Sequence, residues 1–163
     1  MNRAKDIAIV ALLSAVVYLL ATRDSAVTVA DHLQSPPAAV AVLSYVNVSG
    51  DPESEYLSDS LWNETINSLA QHPELWIASR ISSSRYKGVS EEIRTIGEEL
   101  EVSYVLEGAV RRTGPAIRIT VQLIRVDDGW HVWSETYETT EEFADSLALT
   151  IADSVVRELG QIL

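Results

Sequence analysis

The sequence predicts an α/β domain: a two-layer sandwich in the order βαβαβββα, with a mixed sheet and helices packed on it, plus an N-terminal transmembrane helix. Three observations lead there. The apolar run from Ala38 to Val46 has no polar face, as in a strand buried on both sides. Apolar residues then recur at helical spacing, and from Val102 the period changes to two, the mark of an antiparallel meander. Ahead of both, Ile7 to Ala21 is uncharged, with Arg3 and Lys5 before it and Arg23 and Asp24 closing it.

That first segment, residues 1–23, reads as a membrane anchor or a signal segment. A span needs about 20 residues at about 1.5 Å each, and Ala4 and Thr22 extend the apolar run to residues 4–22. Cleavage is the rival reading, because Thr28-Val29-Ala30 before Asp31 offers the small residues a peptidase needs. Positive charge stays on the cytoplasmic side. Arg3 and Lys5 therefore predict a single-pass inner (cytoplasmic) membrane protein whose C-terminal domain is periplasmic; cleavage would leave a free periplasmic form. Residues 24–37, ending in Pro36-Pro37, read as an extended linker, and residues 38–163 as the α/β domain.

Within the domain, Ala38 to Val46 is expected to be a central strand. Ser49-Gly50-Asp51-Pro52 turns it into a helix with Asp51 as N-cap, Pro52 at the first helical position, and Glu53 and Glu55 in the first turn. Leu57, Leu61, Thr65 and Leu69, widened by Trp62 and Ile66, make its buried stripe, and the helix is expected to run to about Gln71. Such a strand-turn-helix junction holds phosphate in other proteins. Here there is one Gly and no Lys, and acids already occupy the helix start, so the junction reads as a fold element. Leu75 to Ser79 is a short second strand. The stretch Arg80 to Gly88 reads as a loop, and Ser90 as the N-cap of a second helix with Ile93, Ile96 and Leu100 on one face.

Three strands follow, joined at Arg112-Thr113-Gly114-Pro115 and at Asp127-Asp128-Gly129. In the middle strand Ile117, Ile119, Val121 and Leu123 alternate with Arg118, Thr120 and Gln122, giving one buried and one wetter face. Gly108 interrupts an otherwise continuous strand, where a bulge or a close approach is the usual reason. Thr139 and Glu142 fit a capping box before a last helix with the stripe Phe143, Leu147, Ile151, Val155 and Leu159.

Composition narrows the function. Lys plus Arg total 12 against 24 Asp plus Glu, a net charge of −12, so the field opposes binding to nucleic acid. With no Cys there is no disulfide, thiolate metal site or thiol nucleophile. His32, His72 and His131 read as isolated, and no metal, cofactor or catalytic set is expected. Ser84-Arg85-Tyr86-Lys87 matches Ser-x-x-Lys, but the two companion motifs of that chemistry are absent. The candidate partner-binding residues are Arg80, Arg85 and Lys87, three cations in an acidic domain, and Trp130, Trp133 and Tyr137 on the last strand. Their competing readings are local charge balance and core packing.

Taken together, "VAVLSYVNVSGDPESEYLSDSLWNETINSLAQHPELWIASRISSSRYKG", "IRTIGEELEVSYVLEGAVRR" and "IRITVQLIRVDDGWHVWSETYE" resemble the TolB-like amino-terminal domain, related to the FlgO family of bacterial envelope proteins. The resemblance implies a fold like that domain, on the outer side of the membrane after one span. It occurs in this setting in bacterial regulators and nucleotide cyclases. These 163 residues show no winged helix, cyclase domain or repeats, so the resemblance implies neither gene regulation nor cyclase activity. It implies a non-catalytic interaction or sensory module whose partner is an envelope or membrane protein. The alternative is a periplasmic small-ligand-binding protein or hydrolase using the Ser84 to Lys87 loop.

Overall fold

The computed structural model describes residues 38–162. The expected transmembrane segment and linker lie outside them, and among the described residues no helix is long and apolar enough to cross a membrane. Six strands, β1 (Ala38–Val42), β2 (Val46–Asn47), β3 (Leu75–Ile77), β4 (Tyr104–Thr113), β5 (Ala116–Arg125) and β6 (His131–Thr139), form one mixed sheet in the order β3-β1-β4-β5-β6, with β2 also paired to β4. The pairings of β1 and β2 are parallel, and those within β4-β5-β6 antiparallel. Four helices accompany it: α1 (Pro52–Leu69), α2 (Arg80–Ser84), α3 (Ile93–Leu100) and α4 (Ala144–Ile162).

Helices α1 and α4 supply the main core. The α1 stripe is buried as its spacing predicts, with Leu61 and Leu69 almost fully enclosed; each such leucine contributes about 1.5 to 3 kcal/mol. Asp51 caps the helix, its carboxylate accepting the Ser54 N–H at 2.8 Å. From the sheet come Val40, Val42, Leu106, Val110 and the alternate residues Ile117, Ile119, Val121 and Leu123 of β5. From α4 come Ile151, Val155 and Leu159, with Leu147 partly buried. Phe143, expected in that stripe, is instead exposed in a 3-10 turn, Glu141–Phe143. The capping box is also absent: Thr139 ends β6, and Thr140 opens the turn without a side-chain cap.

The two-layer expectation is corrected by a partial third layer. A second core of Ala41, Leu43, Ile96, Val105 and Val126 lies on the opposite sheet face, because β1 and the start of β4 are apolar on both sides and α3 covers them. Gly97 lets α3 approach, since a Cβ there would fall 2.3 Å from Val126 Cγ1. Ser90 does not cap α3; Glu92 holds the cap position without a side-chain hydrogen bond. Two short elements extend the expected order. Helix α2 replaces the loop expected over Arg80 to Gly88 in its first part, because the Ser79 hydroxyl accepts the Ser82 N–H and closes the turn.

Strand β2 arises from a break. Val42 pairs with Leu106 but Val46 pairs with Ala109, so four steps on one strand face three on the other and one extra residue bulges out. The extra residue reverses the alternation. Tyr45 is thereby turned into the main core, 1% exposed, and its hydroxyl donates to Thr65 Oγ1 at 3.1 Å. Its ring lies against Gly108 of β4. The close approach expected at Gly108 is therefore made by the bulged partner strand.

Candidate interaction surface

The basic loop is pinned to α1. Arg80 donates to Asn63 Oδ1 at 3.1 Å, and Lys87 Nζ meets Asp59 Oδ1 at 2.6 Å and Glu55 Oε1 at 2.8 Å. Asp59, then Glu55, hold the Lys87 ammonium above its ordinary value. Arg85 sits 5.7 Å over the Tyr86 ring, a cation-π contact. Lys87 thus serves the local charge balance, while among the described residues no carboxylate pairs with Arg80 or Arg85. Beside them Ile81, which the sequence reading missed, projects from α2 at 79% exposure. Its place in a serine-rich run gave no apolar periodicity to flag it.

Ser84 and Lys87 do not face each other. The Ser84 hydroxyl donates to the Ile81 carbonyl at 2.9 Å while Lys87 turns to α1. The aromatic group also divides. Trp133 and Tyr137 pack against the main core, and Trp130 stands out at the β5-β6 turn with 70% exposure. Burial pushes the Tyr137 hydroxyl up, an effect that Ser154 opposes and Glu135 reinforces. His72, read as isolated, lies 3.6 Å from Glu74 and 3.9 Å from Asp153. Among the described residues no three His, Cys, Asp or Glu gather around a metal position.

The open part of the sheet face beyond α3 carries a cleft of about 260 Å³. Its floor is Glu107, Ala109, Thr120 and Gln122; one wall is the bulge with Leu43, Ser44 and Val46, and the other the loop with Tyr86 and Val89. Glu107 and Gln122 are directly paired across β4 and β5. Burial raises the Glu107 carboxyl above its ordinary range, only partly opposed by His131. Sequence reading gave no hint of this cleft, because the bulge that shapes it leaves no local motif.

Residues 38–156 match the family described as HilA/YgeH-like transcriptional regulator, second domain. A 100-residue stretch is 43% identical to putative adenylate cyclase 3 of Rhizobium meliloti, covering 61% of this chain and 17% of that protein. The fold resembles TolB from Acinetobacter baumannii, with a TM-score of 0.56 at 11% identity over 77% of this chain and 29% of TolB. It also resembles lipoprotein GNA1162 from Neisseria meningitidis, with a TM-score of 0.54 at 15% identity over 76% of this chain and 97% of the other. The TolB-like fold expected from the sequence is thus found. The chain spans less than a fifth of the cyclase it matches and under a third of TolB.

Proposed function

The chain belongs to the HilA/YgeH-like transcriptional regulator second-domain family, and from that premise we propose that residues 38–163 are a non-catalytic interaction module held in the periplasm by a membrane tether at residues 4–22. One observation carries the reading. A similar unit is found in proteins with different outputs, as the second domain of HilA/YgeH-like regulators in one case and within 17% of a putative adenylate cyclase in another. A part that accompanies different outputs is suited to contact and signal relay rather than to either chemistry. The partner is an envelope or membrane protein, docked through Arg80, Ile81 and Arg85, with Trp130 as a second contact. Nucleic acid is disfavoured by the charge of −12.

The absence of cysteine makes the test clean. Thr150→Cys in the full chain is expected to react with a membrane-impermeant maleimide in intact spheroplasts and to sediment with membranes after an alkaline wash. Labelling only after lysis overturns the periplasmic placement, and an intact mass starting at Asp31 overturns the tether. A photo-reactive group on Ile81→Cys is expected to give one discrete adduct with a membrane protein. If neither this position nor Trp130→Cys gives an adduct, the interaction reading fails.

A further inference from the structure

Strand β6 ends the sheet on one side and pairs with β5 alone; among the described residues no backbone hydrogen bond reaches its outer edge from another element. The opposite edge, β3, is three residues long, whereas β6 runs for nine. Native sheets blunt a long edge with lysine, proline, a bulge or a covering element, because its unpaired N–H and C=O groups invite another strand. β6 has neither Lys nor Pro, and its one irregularity, opposite Leu123 and Ile124, lies at its start and leaves Trp133 to Thr139 in regular register. Its two acids are already engaged. Glu138 pairs with Arg118 at 2.5 Å, and Glu135 accepts the Tyr137 hydroxyl at 2.9 Å.

The ladder fixes which backbone groups are free. Thr113 and Ala116 are direct partners on either side of a two-residue turn, so they exchange both of their hydrogen bonds. Alternation from that pair turns the N–H and C=O of Ile117, Ile119, Val121 and Leu123 toward β6. On β6 it leaves those of Ser134, Thr136 and Glu138 pointing off the sheet.

We infer that this edge is taken by β6 of a second copy of the chain, antiparallel and centred on Thr136, so that one sheet runs through both copies. A two-fold pair must set outward-pointing residues opposite one another. Centres at Ser134 or Glu138 fall too near the ends of the regular stretch. A centre at Glu135 sets that carboxylate against its own copy, which is unfavourable, and a centre at Tyr137 leaves Trp133 and Ser134 beyond the end of the facing strand. Centring on Thr136 engages the whole of Trp133 to Thr139 and opposes no like charges: Thr136 meets Thr136, Ser134 meets Glu138, Glu135 meets Tyr137, and Trp133 meets Thr139. The hydroxyls of Thr120 and Thr136 already lie 3.1 Å apart, and the new pair continues that row into the second copy. At a net charge of −12 two copies repel at long range, so the pairing strengthens as salt rises. The inference concerns the β6 edge alone, and its failure leaves the tethered-module reading untouched.

The test exploits the absence of cysteine and uses the full chain in detergent micelles. Under mild oxidation Thr136→Cys is expected to give a disulfide-linked dimer, because residues opposed in a hydrogen-bonded pair have Cα atoms about 5.5 Å apart, within the span of a disulfide. Glu138→Cys alone should not, since its counterpart lies about 14 Å away along the facing strand at about 3.4 Å per residue; mixed with Ser134→Cys, it should. Thr136→Lys and Thr136→Glu are each expected to weaken the dimer about fivefold or more in sedimentation, by setting like charges opposite one another, and mixing the two variants should restore it. Position 136 is exposed, so both variants should fold; if either does not, the cysteine pairs still decide. Equal cross-linking at Thr136→Cys and Glu138→Cys overturns the proposal, as does a monomer at every concentration, a dimer unaffected by Thr136→Lys, or an association that weakens as salt rises. A Thr136 amide protected from hydrogen exchange only when solubilised membrane proteins are added gives the edge to a different chain and overturns it as well.

Discussion

Gly108→Ala has the outcome most sharply set by geometry. A Cβ at position 108 would fall 2.3 Å from Tyr45 Cδ1, 2.5 Å from Cε1 and 2.7 Å from Cγ, where carbon atoms prefer about 3.5 to 4 Å. The ring has no easy escape, being 1% exposed and tied through its hydroxyl to Thr65. Forcing a methyl into a filled core costs about 1 to 3 kcal/mol, and losing the hydroxyl contact adds about 1 kcal/mol. Relief of the glycine's backbone entropy in mid-strand offsets about 0.5 to 1 kcal/mol. The net loss is about 1 to 3 kcal/mol, or roughly 4 to 12 °C in melting temperature for a domain of this size. Urea unfolding of a double-mutant cycle with Tyr45→Ala isolates the cause. With the ring gone the methyl has room, and a coupling of about 1 kcal/mol or more is expected. An unchanged melting temperature, or additive costs within about 0.5 kcal/mol, refutes the reasoning.

Two further outcomes follow from the helix start and the basic loop. Asp51 is held below the ordinary aspartate value of 3.8 by the Ser54 side chain and backbone N–H beside it; such a group contributes stability that is present above that value and lost as pH falls through the lower folded one. Asp51→Asn, which keeps a cap and drops the charge, is therefore expected to flatten the loss of stability below about pH 4, and urea midpoints that track the wild type throughout that window would refute it. At the loop, changing Arg80, Arg85 and Lys87 together to Ala is expected to cost little stability, since exposed ion pairs contribute about 0 to 1 kcal/mol each. The same change should weaken the Ile81 adduct and flatten its dependence on salt; an adduct indifferent to ionic strength in the wild type removes the loop as the main contact and leaves Trp130.

The legible parts of the fold were those written in long periods. The α1 stripe and the alternation from Ile117 to Leu123 each place several residues on one face, and burial follows them. Short elements were hidden for physical reasons. Helix α2 is only Arg80–Ser84, too brief to show a period, and its cap comes from Ser79 within a run of serines that also suits a loop. The exposure of Phe143 was illegible because the 3-10 turn shifts its angle relative to α4. Of the candidate contacts, the three cations do lie on one short segment, helix α2 and the turn after it. Their unequal freedom depends on Glu55 and Asp59, which are distant in sequence and adjacent only after folding.

The same long-range cause joins the stability of the domain to its cleft. A strict period of two through Val42, Leu43, Ser44, Tyr45 and Val46 would put Ser44 in the main core and Tyr45 on the other face. One extra residue against β4 reverses this, so that Tyr45 fills the core against Gly108 and Ser44 is left in the cleft wall. Glycine at 108 is then required by the bulge, and the bulge in turn shapes the cleft. It follows that Gly108→Ala should do more than lower the melting temperature: in the fraction that remains folded, a displaced Tyr45 carries its neighbour Ser44 with it. Amide shifts at Ser44 and, across the cleft, at Gln122 should therefore differ from those of the wild type. A folded Gly108→Ala protein with wild-type shifts would separate the two roles and show that the core contact and the cleft wall do not share the bulge.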